Sequence, residues 1–250
     1  MISSSLRFSF KTLLLAGIAS SYIGLAHAQE KSFNDAQKEE IQSIVKDYLL
    51  ENPEIMTEVM VALRTKQEAA EQKQAEEKLA EYKDYFKSDD LAYAGNKDGD
   101  VIVVEFFDYN CGYCKKAFPD VQALLEEDKN VKVVFMEMPI LGPTSLTAAK
   151  WAEAAKDQGK YFEFHSALMK FQGNKDEKSL RKIAKDLGLD VEQMAERAES
   201  QDIQDRINKS MEISQDMGIR GTPAFIVGDQ IFRGYIGEEA LIQSVKDSRS

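Results

Sequence analysis

Val101-Ile102-Val103-Val104-Glu105-Phe106-Phe107-Asp108-Tyr109-Asn110-Cys111-Gly112-Tyr113-Cys114-Lys115 is the stretch whose reading decides the fold. Residues 101–107 are β-branched and aromatic, of strand length, and apolar on both faces, which predicts a central strand covered by helices on each side. Tyr113 to Glu127 reads as a helix, and Val131 to Met136 as a second strand. Strand, helix, strand in that order implies a parallel pair with a right-handed crossover. Residues 145–217 are helical in pattern, with breaks near Gly159, Gly173 and Gly188 and with Asp190 and Asp202 as candidate caps. Pro223 to Val227 is a third strand and Gln230 to Arg233 a fourth, joined by the tight turn Gly228-Asp229. Gly237-Glu238-Glu239 opens a last helix running to about Asp247. The result is an α/β core with a helical block inserted between its two halves.

Upstream, Ala94-Gly95-Asn96-Lys97-Asp98-Gly99-Asp100 is turn chemistry and marks a boundary. Residues 33–86 are helical and differ from the rest. Ile41, Ile44, Val45, Tyr48 and Leu49 form one apolar stripe, Asn52-Pro53-Glu54 punctuates, and a second stripe follows through Ile55, Met56, Val59, Met60 and Leu63. No Pro or Gly interrupts Glu54 to Phe86, a helix about 50 Å long. So narrow an apolar face on so long a helix points to self-association, with a helix lying along its own domain as the alternative.

The first thirty residues read as a secretory signal. Arg7 and Lys11 supply a positive start, Thr12 to Leu25 is mostly apolar, and Ala26-His27-Ala28 is a small-x-small cleavage site. The 250 residues carry a net charge of −11, or −13 without residues 1–28, which argues against a nucleic-acid or anionic-membrane binder. Two cysteines and two histidines are too few for a cysteine-built zinc site or a dense disulfide framework.

Those two cysteines, Cys111 and Cys114, sit where the strand gives way to a helix. Such a pair can bind metal, form an inert staple or exchange disulfides. Metal needs about four ligands, and beyond the leader only His165 could join without a second chain. A staple closing so short a loop removes only about 2 kcal/mol of unfolded-state entropy. Exchange suits the spacing, because one thiolate attacks and the other resolves. Cys111, at the helix N-terminus, is expected to be exposed and nucleophilic; Cys114, a turn further in, is expected to be buried with a raised pKa. Glu105 is the odd residue of its strand: either a buried acid beneath the pair that relays the Cys114 proton, or a strand-end side chain reaching solvent. Asp108, Lys115 and Lys116 read as solvated neighbours, and His165 as a helix-surface or packing residue. Pro223 is allowed at a strand start.

Taken together, Glu105-Phe-Phe-Asp-Tyr-Asn-Cys-Gly-Tyr-Cys-Lys115 and Gly221-Thr-Pro-Ala-Phe225 resemble the DsbA-type thioredoxin-fold proteins of the bacterial periplasm over roughly Asp100 to Val245. The resemblance implies a thioredoxin fold with an inserted helical domain, Cys111 as nucleophile, Cys114 as resolving cysteine and Glu105 as buried acid. It also implies a cis bond between Thr222 and Pro223, in a loop facing the cysteines and pairing with substrate backbone. No cofactor is implied beyond a redox-active Cys111–Cys114 disulfide, and no metal. Gly112-Tyr113 lacks the Pro-His of strongly oxidising members and resembles the isomerase DsbC, as does Thr222 before the proline. Leu50-Glu-Asn-Pro-Glu-Ile55 is similar to the arms of ScsC-like and Com-type relatives, which make dimers or trimers.

The expected organisation is therefore a signal peptide (1–28), a helical oligomerisation region (29–90) and a DsbA-like domain (91–250) with its helical insertion at about 145–217. The expected function is disulfide isomerisation with some oxidase capacity. Its partners would be unfolded or misdisulfided exported proteins, a membrane reductase or quinone-linked oxidase, and further copies of the chain through residues 33–86, with no nucleic acid. The location is the periplasm, free or associated with the outer membrane. Rival readings are a plain dithiol oxidase and a binding protein that keeps the shell without turnover.

Overall fold

The structure, a computed structural model, describes residues 33–249. The expected signal peptide lies outside the described residues. Contacts divide the chain into two compact units, one ending at Val59 and one beginning at Met60.

In the first unit, α1 (Asp35–Glu51) starts on a capping box: Asn34 Oδ1 accepts from the Gln37 N–H and the Gln37 side chain accepts from the Asn34 N–H. Asn52 ends it, giving both its backbone N–H and its side-chain amide to the Tyr48 carbonyl. After Pro53 the chain enters α2 (Glu54–Phe86), 33 residues without a break. No residue of α1 is buried. Ile41, Val45, Leu49, Leu50, Pro53 and Met56 line an apolar cleft, while Ile44, Tyr48 and Val59 are exposed.

The second unit is built on five strands: β1 (Tyr93–Gly95), β2 (Val101–Phe107), β3 (Val131–Glu137), β4 (Ala224–Val227) and β5 (Gln230–Arg233), in the spatial order β1-β3-β2-β4-β5. β2 and β3 are parallel and the remaining pairs antiparallel. β1 overlaps the start of the stretch read as turn, at Ala94 and Gly95. Three residues are too few to show a period, and pairing with β3 makes them a strand (Tyr93 opposite Val134). Gly95, at φ +86°, then turns away where any Cβ would strike the Val131 carbonyl.

Alternation along β2 sends Val103 and Phe107 to one face and Val104 and Phe106 to the other. The first face is covered by α3 (Gly112–Glu127), by α9 (Glu238–Asp247) and by the inserted block α4 (Pro143–Lys156), α5 (Tyr161–Lys170), α6 (Glu177–Asp186) and α7 (Val191–Ala198). The second is covered by Leu79 and Phe86 of α2 and by Ile213 of α8 (Gln201–Asp216), with Met217 just beyond. The C-terminal half of α2 thus belongs to the sheet's core and to the second unit. Asp190 caps α7 as expected, accepting from the Glu192 and Gln193 N–H groups. Asp202 does not cap; it lies one residue inside α8, behind Ser200, and pairs with Arg197 and Arg206.

A polar cluster lies within the first face. Tyr109 and Tyr161 donate to Glu137 at 3.1 and 2.9 Å, and the Tyr109 hydroxyl meets His165 Nδ1 at 3.1 Å. His165 is therefore a packing residue and not a surface one. Burial pushes its imidazole down to about 3, so it stays neutral near pH 7, and burial holds the Glu137 carboxyl well above the usual carboxylate range.

On the other side Lys132, a buried residue of β3, reaches the carbonyls of Lys87 and Ser88 just after α2, at 3.1 and 3.3 Å. A cation there satisfies orphan carbonyls and opposes the helix dipole. Lys132→Met keeps the stem and removes the donors. It is expected to cost about 1–3 kcal/mol, read as a lower urea midpoint at unchanged denaturant slope.

Candidate active site

Parallel β2 ends at Phe107, and the chain turns through Asp108, with the Cys111 N–H on the Asp108 carbonyl at 3.0 Å, into α3. Cys111 is the N-cap of α3, with extended backbone (φ −73°, ψ 121°). Its sulfur therefore lies by the positive end of the helix, where free N–H groups favour a thiolate. Cys111 and Cys114 are both free thiols. The Cys111 Sγ–H donates to the Thr222 carbonyl at 3.2 Å, and the Thr222–Pro223 bond is cis. Antiparallel pairing of β4 with β2, Ala224 opposite Phe106, brings that loop to the end of the sheet where α3 begins.

Cys111 is not exposed as the sequence led us to expect. It is only 7% accessible, because the Thr222 loop packs against its sulfur. Cys114 is fully buried. Burial, then the nearby Glu105 carboxyl, hold its thiol well above the ordinary range. Glu105 is buried rather than reaching solvent, and neither carboxyl oxygen has a hydrogen-bond partner. It shares the β2 face of Val103 and Phe107, the face on which α3 lies. Desolvation pushes its pKa up to about 8. Gly112 is exposed, and a Cβ there would touch nothing within 4 Å. Tyr113 is 62% exposed, its ring centroid 6.4 Å from that of Tyr235.

Asp108 is the correction among the neighbours. It is buried, and its carboxylate accepts from the Asn110 and Leu141 N–H groups and the Ser145 hydroxyl at 2.7–2.9 Å. An anion satisfied three times needs no solvent. Lys115 is half-buried and donates to the Phe171 carbonyl, whereas Lys116 is exposed, over the Tyr235 ring. Asn110, Ser145 and Lys175 carry no motif, and their meeting at the loop was not foreseen; the Asp-x-Asn spacing, an Asx-turn signal, was the one available hint.

This arrangement makes the proton of Glu105 a handle on stability. Between the ordinary carboxylate value of 4.5 and about 8, the folded reduced protein holds a proton that the unfolded chain has lost, so Glu105 lowers stability as pH rises through that window. Glu105→Gln removes the titration. Relative to wild type, the reduced variant is expected to gain stability between pH 5 and pH 8, by an amount on the order of a few kcal/mol. Urea denaturation at both pH values measures the difference.

The DSBA-like thioredoxin domain profile matches residues 102–246, and the profile of the copper resistance protein ScsC N-terminal domain matches residues 37–70. A thioredoxin-like oxidoreductase from Silicibacter pomeroyi is 43% identical, with a TM-score of 0.64 over 66% of this chain and 95% of that one. ScsC of Proteus mirabilis in a transitional conformation is 30% identical, with a TM-score of 0.63 over 87% of this chain and 97% of that one. The chain spans about a quarter of the length of the sodium/proton antiporters it also matches: NhaA 1 of Salinispora arenicola is 33% identical over 153 residues, 60% of this chain and 24% of that protein. From the strand carrying Glu105 to the last helix, with the cysteine pair between them, this chain belongs to the DSBA-like thioredoxin domain family.

Proposed function

We propose that the chain is an exported thiol–disulfide oxidoreductase working through Cys111 and Cys114, with disulfide isomerisation as its main task and some oxidase capacity. The observation that carries this reading is one sulfur at a helix N-terminus, edged against the Thr222 carbonyl, with a second thiol sealed behind it over a buried acid. The Cys111 thiolate attacks one sulfur of a substrate disulfide, and the other substrate sulfur leaves as a thiolate. In isomerisation that thiolate, or another of the substrate, then displaces Cys111 and regenerates it. Alternatively Cys114, its proton passing to Glu105 once that carboxyl has itself ionised, displaces the substrate and closes the Cys111–Cys114 disulfide. No cofactor enters either route.

Two features favour isomerisation. Gly112-Tyr113 places no cation between the cysteines. Without a cation there to hold a thiolate, the pair is a weaker oxidant of substrate thiols than one that carries a histidine between its cysteines. The exposed apolar residues of α1 and early α2, and the ScsC N-terminal match over them, support assembly into a dimer or trimer, which sets several sites around shared substrate. Its substrates would be unfolded or misdisulfided exported proteins, and a membrane redox partner would reset the pair. The periplasm is the compartment proposed. Among the described residues no helix is long and apolar enough to cross a membrane.

Two experiments test this reading. Full-length protein is expected to restore activity to scrambled ribonuclease; Cys111→Ala is expected to fall to the uncatalysed rate, and Cys114→Ala to accumulate mixed disulfides. A pair found mostly oxidised in cells would replace the isomerase by a dithiol oxidase. The variant Ile44→Lys/Tyr48→Lys is expected to be monomeric by light scattering while still reducing insulin. An unchanged mass would remove the arm from assembly.

A further inference from the structure

We propose that Lys175, in the loop between α5 and α6, is a positioning residue for Cys111, acting through the side chain of Asn110. This rests on the reading of Cys111 as the attacking sulfur.

Lys175 is 1% accessible, a rare state for a lysine. Its ammonium group donates to Asn110 Oδ1 at 3.3 Å. The Asn110 amide in turn donates to the Thr144 and Ser145 hydroxyls, both at 2.9 Å. Ser145 donates to Asp108 at 2.8 Å, and Asp108 accepts from the Asn110 N–H at 2.7 Å. The residue immediately before Cys111 is thus gripped on its acceptor, its amide and its backbone. The inserted helical block supplies the grips on Asn110's side chain, through α4 and the α5–α6 loop. Asn110 is bonded directly to the Cys111 N-cap, so holding it narrows how the chain can present the sulfur to the Thr222 carbonyl.

The charges facing Lys175 are Lys115, the next cation along, and the Asp108 carboxylate. Burial, then Lys115, bring Lys175 down to about 8. The Lys115 ammonium donates instead to the Phe171 carbonyl at 3.1 Å. Two cations this close repel, so each gains from an acceptor of its own. For Lys175 that acceptor is Asn110.

The test uses full-length reduced protein and the alkylation rate of Cys111 by iodoacetamide across pH, with the equilibrium constant against glutathione as a second readout. Lys175→Met is expected to slow alkylation at pH 7 by about tenfold, by displacing the sulfur, and to move the glutathione constant in step. Lys175→Arg keeps a cationic donor and is expected to restore the profile to within about twofold. Asn110→Ala is expected to match Lys175→Met, and the double variant to add nothing further. Wild-type profiles in Lys175→Met, whatever its melting temperature, would overturn the proposal, as would additive effects in the double variant. If Lys175→Met does not fold, Lys175→Arg against Asn110→Ala decides: equal profiles refute it. Alkylation needs no turnover, so loss of the ribonuclease assay in wild type would strike the proposed activity without touching this result.

Discussion

The hydrogen bond from the Cys111 sulfur to the Thr222 carbonyl joins residues 111 apart in the chain, and the candidate site stands on it. Neither partner chooses the other locally. Cys111 is placed by the end of β2 and the start of α3; Thr222 is placed by β4, which reaches β2 only after five inserted helices. The antiparallel register of β4 on β2 converts that long detour into a contact of 3.2 Å. A slip of one residue would turn every side chain of β4 to the opposite face, and Phe225 and Val227 would leave the core they share with Val103. The apolar core therefore sets the register, and the register sets the site.

What the sequence disclosed divides along physical lines. The paired strands, the helical block, its breaks at glycine and the cysteine pair were legible, because each is written in a local period or a local turn. β1 was not, being three residues whose strand character comes from its neighbour. Asp108 was misread as solvated for a related reason: its partners Leu141 and Ser145 lie more than thirty residues away, and nothing near it in sequence announces them. Cys111 was placed correctly on α3 but not in depth, since the loop that covers it comes from residue 222. Glu105 stood out in sequence because an acid in an apolar strand is costly wherever it ends up.

The interior around the site is polar to an unusual extent for so small a sheet. Glu105, Asp108, Glu137 and His165 are all buried on the α3 side or at its rim, and they settle their charge in different ways. Asp108 collects three donors. Burial holds His165 neutral and the Glu137 carboxyl well above the usual carboxylate range. Glu105 has no hydrogen-bond partner for either oxygen, and burial places its pKa at about 8, close to neutral pH. The acid without partners is also the one beside Cys114, and in its ionised form it is placed to receive that thiol's proton.

Cys111 keeps a sliver of accessible surface and Cys114 none, which bears on how the protein would meet peroxide. Only a thiolate in contact with solvent climbs the oxidation ladder; Cys114, sealed and protonated, stays off it. A sulfenic acid formed on Cys111 has a thiol waiting one turn away, and their condensation expels water and leaves a disulfide, which a dithiol can reduce again. On the proposed route, the burial that holds back the second cysteine in exchange would also keep oxidative damage to the first from becoming permanent.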